Sequence, residues 1–311
     1  MVYLRDFTFH SEAEEYTMHC MEERQCINIR YPLDVLPRHG IRRVEFDPVT
    51  IFYGGNGSGK STILNLIAAK LKLLREIPFD PSEFFDWYIN GHDHVTVTGM
   101  HLHVDGVQYN EENPDEWKGI PADSRILTSE DVFDKTLSTR GRNLEIDRQR
   151  DMVAQKWWDY RVRGIHTNLQ SLDGPEYEAW KKQNDMRKKT MGRFLREEVG
   201  LNIKTGSNGE NAFEFFLEKM SKSALYLLDE PENSLSAAWQ VKLAKFIEGM
   251  ARFENCQFVI ATHSPFVLGI KGAKIYNLDA PGTPVQKWTE LQNVREYYDF
   301  FKAHAAEFGE N

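Results

Sequence analysis

The sequence is poor in cysteine and has neither a long apolar run nor a low-complexity segment. Its three cysteines, Cys20, Cys26 and Cys256, are odd in number and lack the spacing of a zinc site. No apolar stretch approaches the ~18 residues that cross a bilayer, and the first residues lack the pattern of a secretory signal. We therefore expect a cytoplasmic protein that has no contact with a membrane.

The composition is that of an ordinary globular chain. Of the 311 residues, 41% are hydrophobic and 27% are charged, which allows a substantial core in one or two domains. The net charge of −9 is unevenly distributed, because the segment from Lys135 to Thr205 has 16 Lys and Arg against 10 Asp and Glu. We favour a solvated helical face for this basic segment over a surface that attracts phosphate backbones.

Strand and helix patterns divide the chain into several segments. Residues 1–62 have strand patterns, 61–76 a helical pattern, 92–110 a hairpin pattern and 129–200 a charged helical pattern. After Gly209, helices alternate with apolar strands, which predicts a parallel sheet covered by helices. The predicted segments are 1–77 (β portion and first half of the main domain), 78–128 (hairpin-containing segment), 129–204 (basic helical insertion), 205–290 (second half of the main domain) and 291–311 (C-terminal helix).

The stretch "YGGNGSGKST", residues 53–62, lies between an apolar strand and an apolar helix. Its spacing matches the phosphate-loop pattern, in which glycines let backbone N–H groups surround a phosphate at a helix N-terminus. In that pattern Lys60 reaches the β- and γ-phosphates and Ser61 helps to hold Mg²⁺. The predicted nucleotide-binding residues are Gly54, Gly55, Asn56, Gly57, Ser58, Gly59, Lys60, Ser61 and Thr62.

Three further polar residues follow apolar strands. In "LYLLDEPENSLS", Asp229 is placed to hold hydrated Mg²⁺ and Glu230 to polarise the attacking water, provided that a bend turns both towards one site. In "FVIATHSPF", His263 ends the next strand and could donate a hydrogen bond to a γ-phosphate. Because parallel strands meet at one edge of a sheet, these side chains are expected near the loop.

The stretch "TGSNGE", residues 205–210, precedes a helix that leads to Asp229. Ser207 could cap this helix, and Gly209 would let the backbone approach an anion. An ordinary turn has the same composition. The distance of 22 residues from Ser207 to Asp229 makes the stretch informative.

These four motifs, in this order, resemble the ABC-type ATPase superfamily. Within it, "DEPEN" and "ATHSP" are most similar to soluble ATPases of the overcoming-lysogenisation-defect (OLD) kind, whose heads are related to those of chromosome-maintenance and break-repair ATPases. Residues 40–70 and 205–280, about a third of the chain, carry the resemblance. It implies an α/β P-loop head with a mainly parallel central sheet, an N-terminal antiparallel β portion and a helical insertion.

The resemblance implies a catalytic role for each matched residue. Lys60 and Ser61 would bind phosphates and Mg²⁺, and Asp229 would support the Mg²⁺. Glu230 would act as general base, and His263 would sense the γ-phosphate. The expected cofactors are therefore ATP and Mg²⁺, and the expected reaction is Mg²⁺-dependent ATP hydrolysis.

The resemblance also implies an assembly. Ser207 and Gly209 would form the signature motif, which in this superfamily touches the ATP of a second head, so a homodimer with ATP at its interface is expected. Residues 233–236 would communicate across that interface. Departures from the transporter pattern, at Gly206, Asn208 and Ser236, count against a transporter subunit.

Several features of the resemblance have no assignable residue. Two interpretations of Gln108 are equally favoured: it belongs to the glutamine loop, or it faces solvent. No aromatic residue can be assigned to stacking on adenine. An Asn-Lys-x-Asp string, which would favour a guanine-specific GTPase, does not occur. Four histidines in the predicted hairpin could bind zinc, although exposed strand histidines are the favoured interpretation; they are His92, His94, His101 and His103.

The leading functional hypothesis is an ATP-dependent dimeric switch for a separate effector protein, in bacterial anti-phage defence by family analogy. Only 48 residues follow His263, which is too few for the nuclease domain of OLD-type enzymes. The end of the chain, residues 294–308, predicts an amphipathic helix that packs on the head in preference to a partner.

A nucleic-acid-binding ATPase of repair or chromosome maintenance is the alternative function. The basic insertion would bind the phosphate backbone, with Lys188 and Lys189 among its contacts. Trp157 and Trp158 could stack on bases, although core packing is favoured for both. An ABC transporter subunit is the third hypothesis.

Overall fold

The computed structural model describes residues 2–21, 31–79, 85, 88–89, 102–104, 120–161, 177–178, 180–181, 184, 188–203 and 206–309. The chain divides into two compact units. The first comprises Met1–Val132 and Asn208–Asn311, and the second comprises Phe133–Ser207. Of the predicted site residues, Ser207 belongs to the second unit and the others to the first. The five predicted segments and their boundaries stay a prediction.

Two sheets form the framework of the first unit. The described strands are β1 (Leu4–Thr8), β2 (Arg43–Glu45), β3 (Val49–Tyr53), β4 (Leu102–Val104), β5 (Arg125–Thr128), β6 (Leu225–Asp229), β7 (Gln257–Ala261) and β8 (Lys274–Asn277). Strands β2, β1 and β4 pair antiparallel in that order. The second sheet has the order β5-β6-β7-β3-β8, and its neighbouring strands are parallel. The predicted fold class, a mainly parallel sheet with an N-terminal antiparallel portion, is confirmed.

Helices account for most of the remaining described residues. They are α1 (Glu12–Met21), α2 (Lys60–Lys70), α3 (Ser129–Arg161), α4 (Met191–Glu198), α5 (Asn208–Lys219), α6 (Ala237–Phe253), α7 (Pro265–Leu268) and α8 (Gln292–Ala303). Short 3₁₀ turns occur at Pro37–His39, Trp288–Glu290 and Ala305–Phe308. Among the described helices, none has the length and apolar character needed to cross a bilayer.

The parallel sheet is buried on both faces. Along β6, Leu225 and Leu227 pack in a cluster with the apolar side chains of α2, whereas Tyr226 and Leu228 pack with those of α5 and α6. Alternate residues of a strand point to opposite faces, and a strand covered on both sides has a continuous apolar sequence. This burial explains why β3, β6 and β7 were recognisable as short apolar runs. Their carboxyl ends lie at one edge, since all three strands run in the same direction.

A helix interrupts the N-terminal region that the sequence patterns assigned to strands. α1 begins after Ser11, whose backbone N–H and hydroxyl both lie 2.6 Å from Glu14 Oε2. The backbone N–H of Glu14 in turn donates to Ser11 Oγ at 3.3 Å. This reciprocal pair is a capping box, which stabilises a helix start. The sequence patterns did not predict this helix, which lies between the predicted strands 2–9 and 26–31.

The helix after the loop is shorter than predicted. α2 ends at Lys70 rather than near residue 76, and Lys72 has a φ of 51°, outside the helical region. The following residues pair with the sheet: Leu74 N–H donates to Ser124 O at 3.1 Å, and Ile126 N–H donates to Leu74 O at 3.0 Å. Extended hydrogen bonding at Leu74 thus replaces the last predicted helical turn.

The second unit contains most of α3 and all of α4. Within it, Asn143 Nδ2 donates to Ile203 O at 3.0 Å, and Ile203 N–H donates to Asn143 Oδ1 at 2.8 Å. Two basic side chains of the unit share one carboxylate, since Lys189 Nζ lies 2.6 Å and Arg193 Nε 3.0 Å from the oxygens of Glu197. Trp158 is 51% exposed, so the core packing favoured for this side chain is wrong.

The predicted C-terminal amphipathic helix is present as α8. Val294 is buried in the core cluster that includes strands β6 and β7. The aromatic side chains Tyr297, Tyr298, Phe300 and Phe301 are 47–59% exposed. Packing on the head, the favoured interpretation, holds for Val294, and the rings on the same helix stay about half exposed.

Candidate functional site

The phosphate-loop motif connects the central strand β3 to α2. β3 is buried between β7 and β8, so it fixes the start of the loop, and α2 begins at Lys60 immediately after it. Gly59 has a φ of 90°, a conformation that L side chains rarely adopt, and it forms the N-cap of α2. The N-terminus of α2 thus faces the loop, where a helix favours an anion.

The residues of the loop differ in their exposure. Lys60 is only 4% exposed, so this cation lies inside the loop rather than on the surface. The solvent-facing members of the motif are Gly55, Asn56, Gly57 and Ser61, and the buried members are Gly54, Ser58, Gly59, Lys60 and Thr62. The motif therefore presents backbone and a serine hydroxyl outwards around a buried ammonium group.

Lys60 joins the loop to Glu230. Its Nζ donates to Gly54 O at 2.8 Å and to Gly55 O at 2.9 Å. The same Nζ lies 3.7 Å from Glu230 Oε1, although the two residues are far apart in sequence. The structure thus brings together the predicted phosphate-binding lysine and the predicted general base.

Ser61 and Asp229 form a second contact across the same edge. Ser61 Oγ donates to Asp229 Oδ1 at 3.1 Å. Burial is the main reason that the pKa of Asp229 is raised to about 6; the hydrogen bond from Ser61 lowers this pKa, and the negative charge of Glu230 raises it. A partly desolvated carboxylate beside a hydroxyl supplies the hard oxygen ligands that Mg²⁺ prefers.

A tight turn after β6 orients Glu230. Its φ of 45° is in the left-handed region, which costs a non-glycine residue on the order of 1 kcal/mol. Two contacts hold the turn: Glu230 N–H donates to Ala261 O at 2.9 Å, and Asn233 Nδ2 donates to Glu230 Oε2 at 2.8 Å. This is the bend that the sequence required if Asp229 and Glu230 were to serve one site.

His263 lies two residues beyond β7. Its backbone N–H donates to Glu232 Oε1 at 3.0 Å, and its ring Nδ1 lies 3.5 Å from the same oxygen. Asn293 Nδ2 holds the carbonyl of His263 at 3.1 Å, and the imidazole is 45% exposed. The imidazole is therefore anchored on one side and open to solvent at the edge where β6 and β7 end.

The predicted signature residues lie at the start of α5. The structure packs Gly209 against α6, where a Cβ on this glycine would lie 2.9 Å from Trp239 Cδ1. A side chain at position 209 would therefore displace the indole ring. Ser207 belongs to the other unit, and its contact with the ATP of a second copy stays a prediction.

Sequence reasoning missed two carboxylates of the first unit. Asp279, two residues after β8, accepts a hydrogen bond from Gly55 N–H, with both its oxygens at 3.0 Å. It also borders a cavity of about 390 Å³ that includes Arg38 and His39. The other missed carboxylate is Glu232, the anchor of His263. Both follow apolar strands, which was the available signal.

The four histidines of the proposed zinc site and Gln108 lie outside the residues whose side chains the structure describes. Among the described residues, no three His, Cys, Asp or Glu side chains cluster as a metal site.

Cys20 is exposed and Cys256 is buried, and both are free thiols.

Comparison with protein families identifies the class. The model of the family described as "ABC transporter" matches residues 43–233, more than half of the chain. A model described as "AAA domain, putative AbiEii toxin, Type IV TA system" matches residues 215–269. The chain therefore belongs to the ABC transporter family, and its phosphate loop and strand-end carboxylates are parts of an ABC-type ATPase domain, a class that binds ATP.

Solved structures show weaker likenesses. An Smc head domain of Pyrococcus furiosus, bound to the C-terminal domain of ScpA, is 14% identical, with 83% of this chain and 95% of that chain covered and a TM-score of 0.38. A dimeric ATP-binding cassette bound to ADP and phosphate is 13% identical, with coverages of 80% and 90% and a TM-score of 0.36. An SMC head domain of Thermotoga maritima is 14% identical, with coverages of 92% and 98% and a TM-score of 0.35. Among curated proteins none matches the sequence.

Proposed function

We propose that the chain binds and hydrolyses ATP with Mg²⁺ as a dimeric switch that controls a separate effector protein in bacterial anti-phage defence. The observation that carries the catalytic proposal is a pair of contacts: Lys60 with Glu230, and Ser61 with Asp229. Ser61 and Asp229 are 168 residues apart in sequence. Their meeting at the N-terminus of α2 supports a phosphate site with a water-polarising group beside it.

Each residue has a distinct task in this reaction. Lys60 exchanges its bonds to the loop carbonyls for β- and γ-phosphate oxygens, and loop N–H groups bind the same phosphates. Glu230 accepts a proton from water as the water oxygen bonds to the γ-phosphorus. The bond from that phosphorus to the β,γ-bridging oxygen breaks, and ADP and phosphate leave. The exposed imidazole of His263 donates a hydrogen bond to the γ-phosphate.

The oxygen ligands at this edge fit Mg²⁺. Ser61 and Asp229 would hold it, with phosphate oxygens and water completing the coordination. Bound there, the ion would neutralise charge on the phosphates. The raised pKa of Asp229 fits a carboxylate that gains a cation on loading.

The cavity beside Asp279 is the proposed location of the nucleoside. It lies next to the loop because Asp279 holds Gly55 N–H, and Arg38 and His39 contribute polar side chains to it. A nucleotide whose phosphates occupy the loop would have its base and ribose on this side. The pairing of Asp279 with Gly55 keeps the loop entrance in place.

One observation supports the switch and its effector. α8 exposes aromatic side chains on the unit that also contains the proposed ATP site. Such a surface is suited to binding another protein. The defence setting rests on family analogy alone. Dimerisation would bring Ser207 and Gly209 of one copy to the ATP of the other.

The mass of the protein in solution tests the dimeric switch. We expect light scattering to show an ATP- and Mg²⁺-dependent doubling of mass, and Glu230→Gln to strengthen it because the variant binds ATP but cannot accept the proton. Glu248→Gln, a matched change on α6 that keeps the oxygen accepting from Lys271 N–H, should behave as wild type. A monomer under every condition would contradict the ATP-sandwiched dimer.

The defence role is tested separately in cells. Expression of the chain with its neighbouring genes should lower phage plating, and Glu230→Gln in the same operon should abolish the protection. Unchanged plating with the wild-type operon would remove the defence proposal and leave the ATPase proposal in place.

A nucleic-acid-binding ATPase remains the second candidate, favoured by the half-exposed Trp158 and the basic insertion. The ion pairs of Lys189 and Arg193 with Glu197 weaken it, because these cations already have an acidic partner. Direct phosphate contact predicts binding to single-stranded DNA that falls steeply with salt and is reduced by Lys188→Glu but not by Lys271→Glu. Salt-insensitive binding would count against this candidate.

A further inference from the structure

A cavity of about 500 Å³ lies between the turn that carries His263 and helix α8. Aromatic side chains form much of its lining, among them Phe266, Trp288, Tyr297 and Phe301, which are 41–54% exposed. We call this the aromatic cavity. Its volume is in the range of ligand pockets, and its lining is mainly apolar with a few polar groups, as in such pockets.

The aromatic cavity contains a buried carboxylate with one uncommitted oxygen. Glu232 is 5% exposed. Its Oε1 accepts from Thr262 Oγ1 at 2.6 Å and from His263 N–H at 3.0 Å. Its Oε2 is buried and has no hydrogen-bond partner among the described residues. A buried charged oxygen without a donor is destabilising, so this position favours an occupant that brings one.

The polar neighbour of Glu232 in the cavity does not supply that donor. Gln240 Nε2 donates to Leu235 O at 2.8 Å, and its Oε1 accepts from Ser264 Oγ at 2.6 Å. On α8, Arg295 pairs with Asp299 and lies over the ring of Tyr298. These groups are already committed to partners within the chain. His263 Nδ1, which also lines the cavity, lies 3.5 Å from Oε1, and no described residue donates to Oε2.

The chemistry of the cavity selects a guanidinium group. Guanidinium stacks on aromatic faces and is more weakly hydrated than an ammonium group, so it enters an aromatic cavity at a lower desolvation cost. Its N–H groups also match a carboxylate oxygen with charge-assisted hydrogen bonds. The exposed rings of α8 would contact apolar residues on either side of such a group.

We propose that the aromatic cavity binds an arginine side chain presented by a separate polypeptide, with Glu232 Oε2 as its anchor. The same carboxylate holds the backbone N–H of His263 through Oε1, so docking would bias the residue that we propose contacts the γ-phosphate. That coupling rests on the proposed ATPase function, whereas the binding site itself does not. Binding of an effector in the aromatic cavity would thus depend on the state of the ATP site, or would change that state.

A pair of labelled peptides tests the binding. The probes are fluorescein-labelled Leu-Arg-Phe amide and the same peptide with citrulline, which keeps the shape of arginine but lacks the charge. Fluorescence anisotropy with nucleotide-free protein should show the arginine peptide binding at least tenfold more tightly. Glu232→Gln should reduce this preference to less than twofold.

The variants have controls built into the structure. Glu232→Gln keeps an oxygen for Thr262 and His263 and removes a buried charge, so the fold should be retained, which thermal unfolding checks. Glu296→Gln changes an exposed carboxylate on α8 that does not line the cavity, and it should keep the wild-type preference. Trp288→Ala should weaken the arginine peptide several-fold, because it removes a ring from the lining.

Other outcomes would overturn the proposal. Equal binding of the two peptides, or binding of neither, would exclude a guanidinium site. Displacement of the arginine peptide by guanidinium ion at the same concentration as unlabelled peptide would assign the cavity to a small organic cation. A peptide-independent dimer that Glu232→Gln dissolves would assign it to a second copy. Intact peptide binding in a protein that does not hydrolyse ATP would contradict only the proposed ATPase function.

Discussion

The carboxyl edge of the parallel sheet and the aromatic cavity beside α8 differ in how their polar groups are hydrogen-bonded. At the edge, Lys60 contacts two loop carbonyls and Glu230, and Ser61 contacts Asp229. In the cavity, one buried oxygen of Glu232 has no donor among the described residues, and neighbouring rings are half exposed. The polar groups of the edge are paired within the chain, whereas we propose that another molecule completes the contacts of the cavity.

The difference teaches how each region would respond to its ligand. A nucleotide bound as we propose would displace internal partners of Lys60, so binding would exchange contacts and leave the geometry of the loop in place. An arginine in the cavity would add contacts that the described residues lack. Changes at the edge should therefore affect chemistry most, and changes at the cavity should affect recognition while stability remains nearly constant.

The largest expected effect is that of Lys60→Ala at the edge. Removing a preorganised cationic donor to the phosphates should lower the ATP hydrolysis rate by about 10²–10³-fold. The variant should also lose measurable ATP affinity, because Lys60 is the buried cation of the loop. Phosphate release and calorimetric titration with ATP are the measurements.

Lys271→Ala is the matched control for this change. Lys271 is exposed after β7 and contacts Glu248 through its backbone N–H, which alanine keeps. It should hydrolyse ATP at the wild-type rate. If Lys60→Ala retained full activity, the loop would not be the catalytic phosphate site. The edge and the aromatic cavity would then not differ in their importance for the chemistry.

Much of the edge could be predicted from the sequence because its parts are local. "YGGNGSGKST" contains the last residue of a strand, a turn and the start of a helix within ten residues, and Asp229 and Glu230 end an apolar run. Parallel pairing then places the ends of these strands together. The position of each predicted residue on its element followed from such short patterns.

The missed residues depend on contacts between distant segments. Asp279 accepts a hydrogen bond from Gly55, 224 residues away. Glu232 accepts hydrogen bonds from Thr262 and His263, about 30 residues away. No local period reveals such pairs. The C-terminal helix itself was predicted, but a helical pattern identifies an apolar face and not how far the chain covers that face.

The next largest effect concerns the buried carboxylate at the edge. Burial raises the pKa of Asp229 from 3.8 to about 6, so its protonated form is the one that folding favours. The stability gained from that form is complete below about pH 4 and is lost as the pH rises through about 6. In nucleotide-free protein, Asp229→Asn should therefore unfold at a temperature about 2–4 °C above wild type at pH 8, equivalent to about 1 kcal/mol, and the gap should close towards pH 4.

Asp299→Asn provides the comparison for this pH dependence. Asp299 is exposed on α8 and pairs with Arg295 at 3.8 Å. Its replacement should change the unfolding temperature little, and by a similar amount at each pH. A constant offset for Asp229→Asn between pH 4 and 8 would show that burial of this carboxylate does not oppose its ionisation.

The smallest expected effect, that of Phe301→Ala on stability, is the sharpest test of the comparison. Phe301 is 54% exposed on α8, so its removal should change the free energy of unfolding in urea by about 0.5 kcal/mol or less. Phe258 on β7 is fully buried and stacks on Tyr226 with ring centroids 5.5 Å apart, so Phe258→Ala should cost about 3–5 kcal/mol. A loss above about 1.5 kcal/mol for Phe301→Ala would mean that the chain itself uses this ring for packing. A near-neutral change together with weaker arginine-peptide binding would show that the ring serves recognition, because only a contact made with another molecule is absent from the free energy of folding.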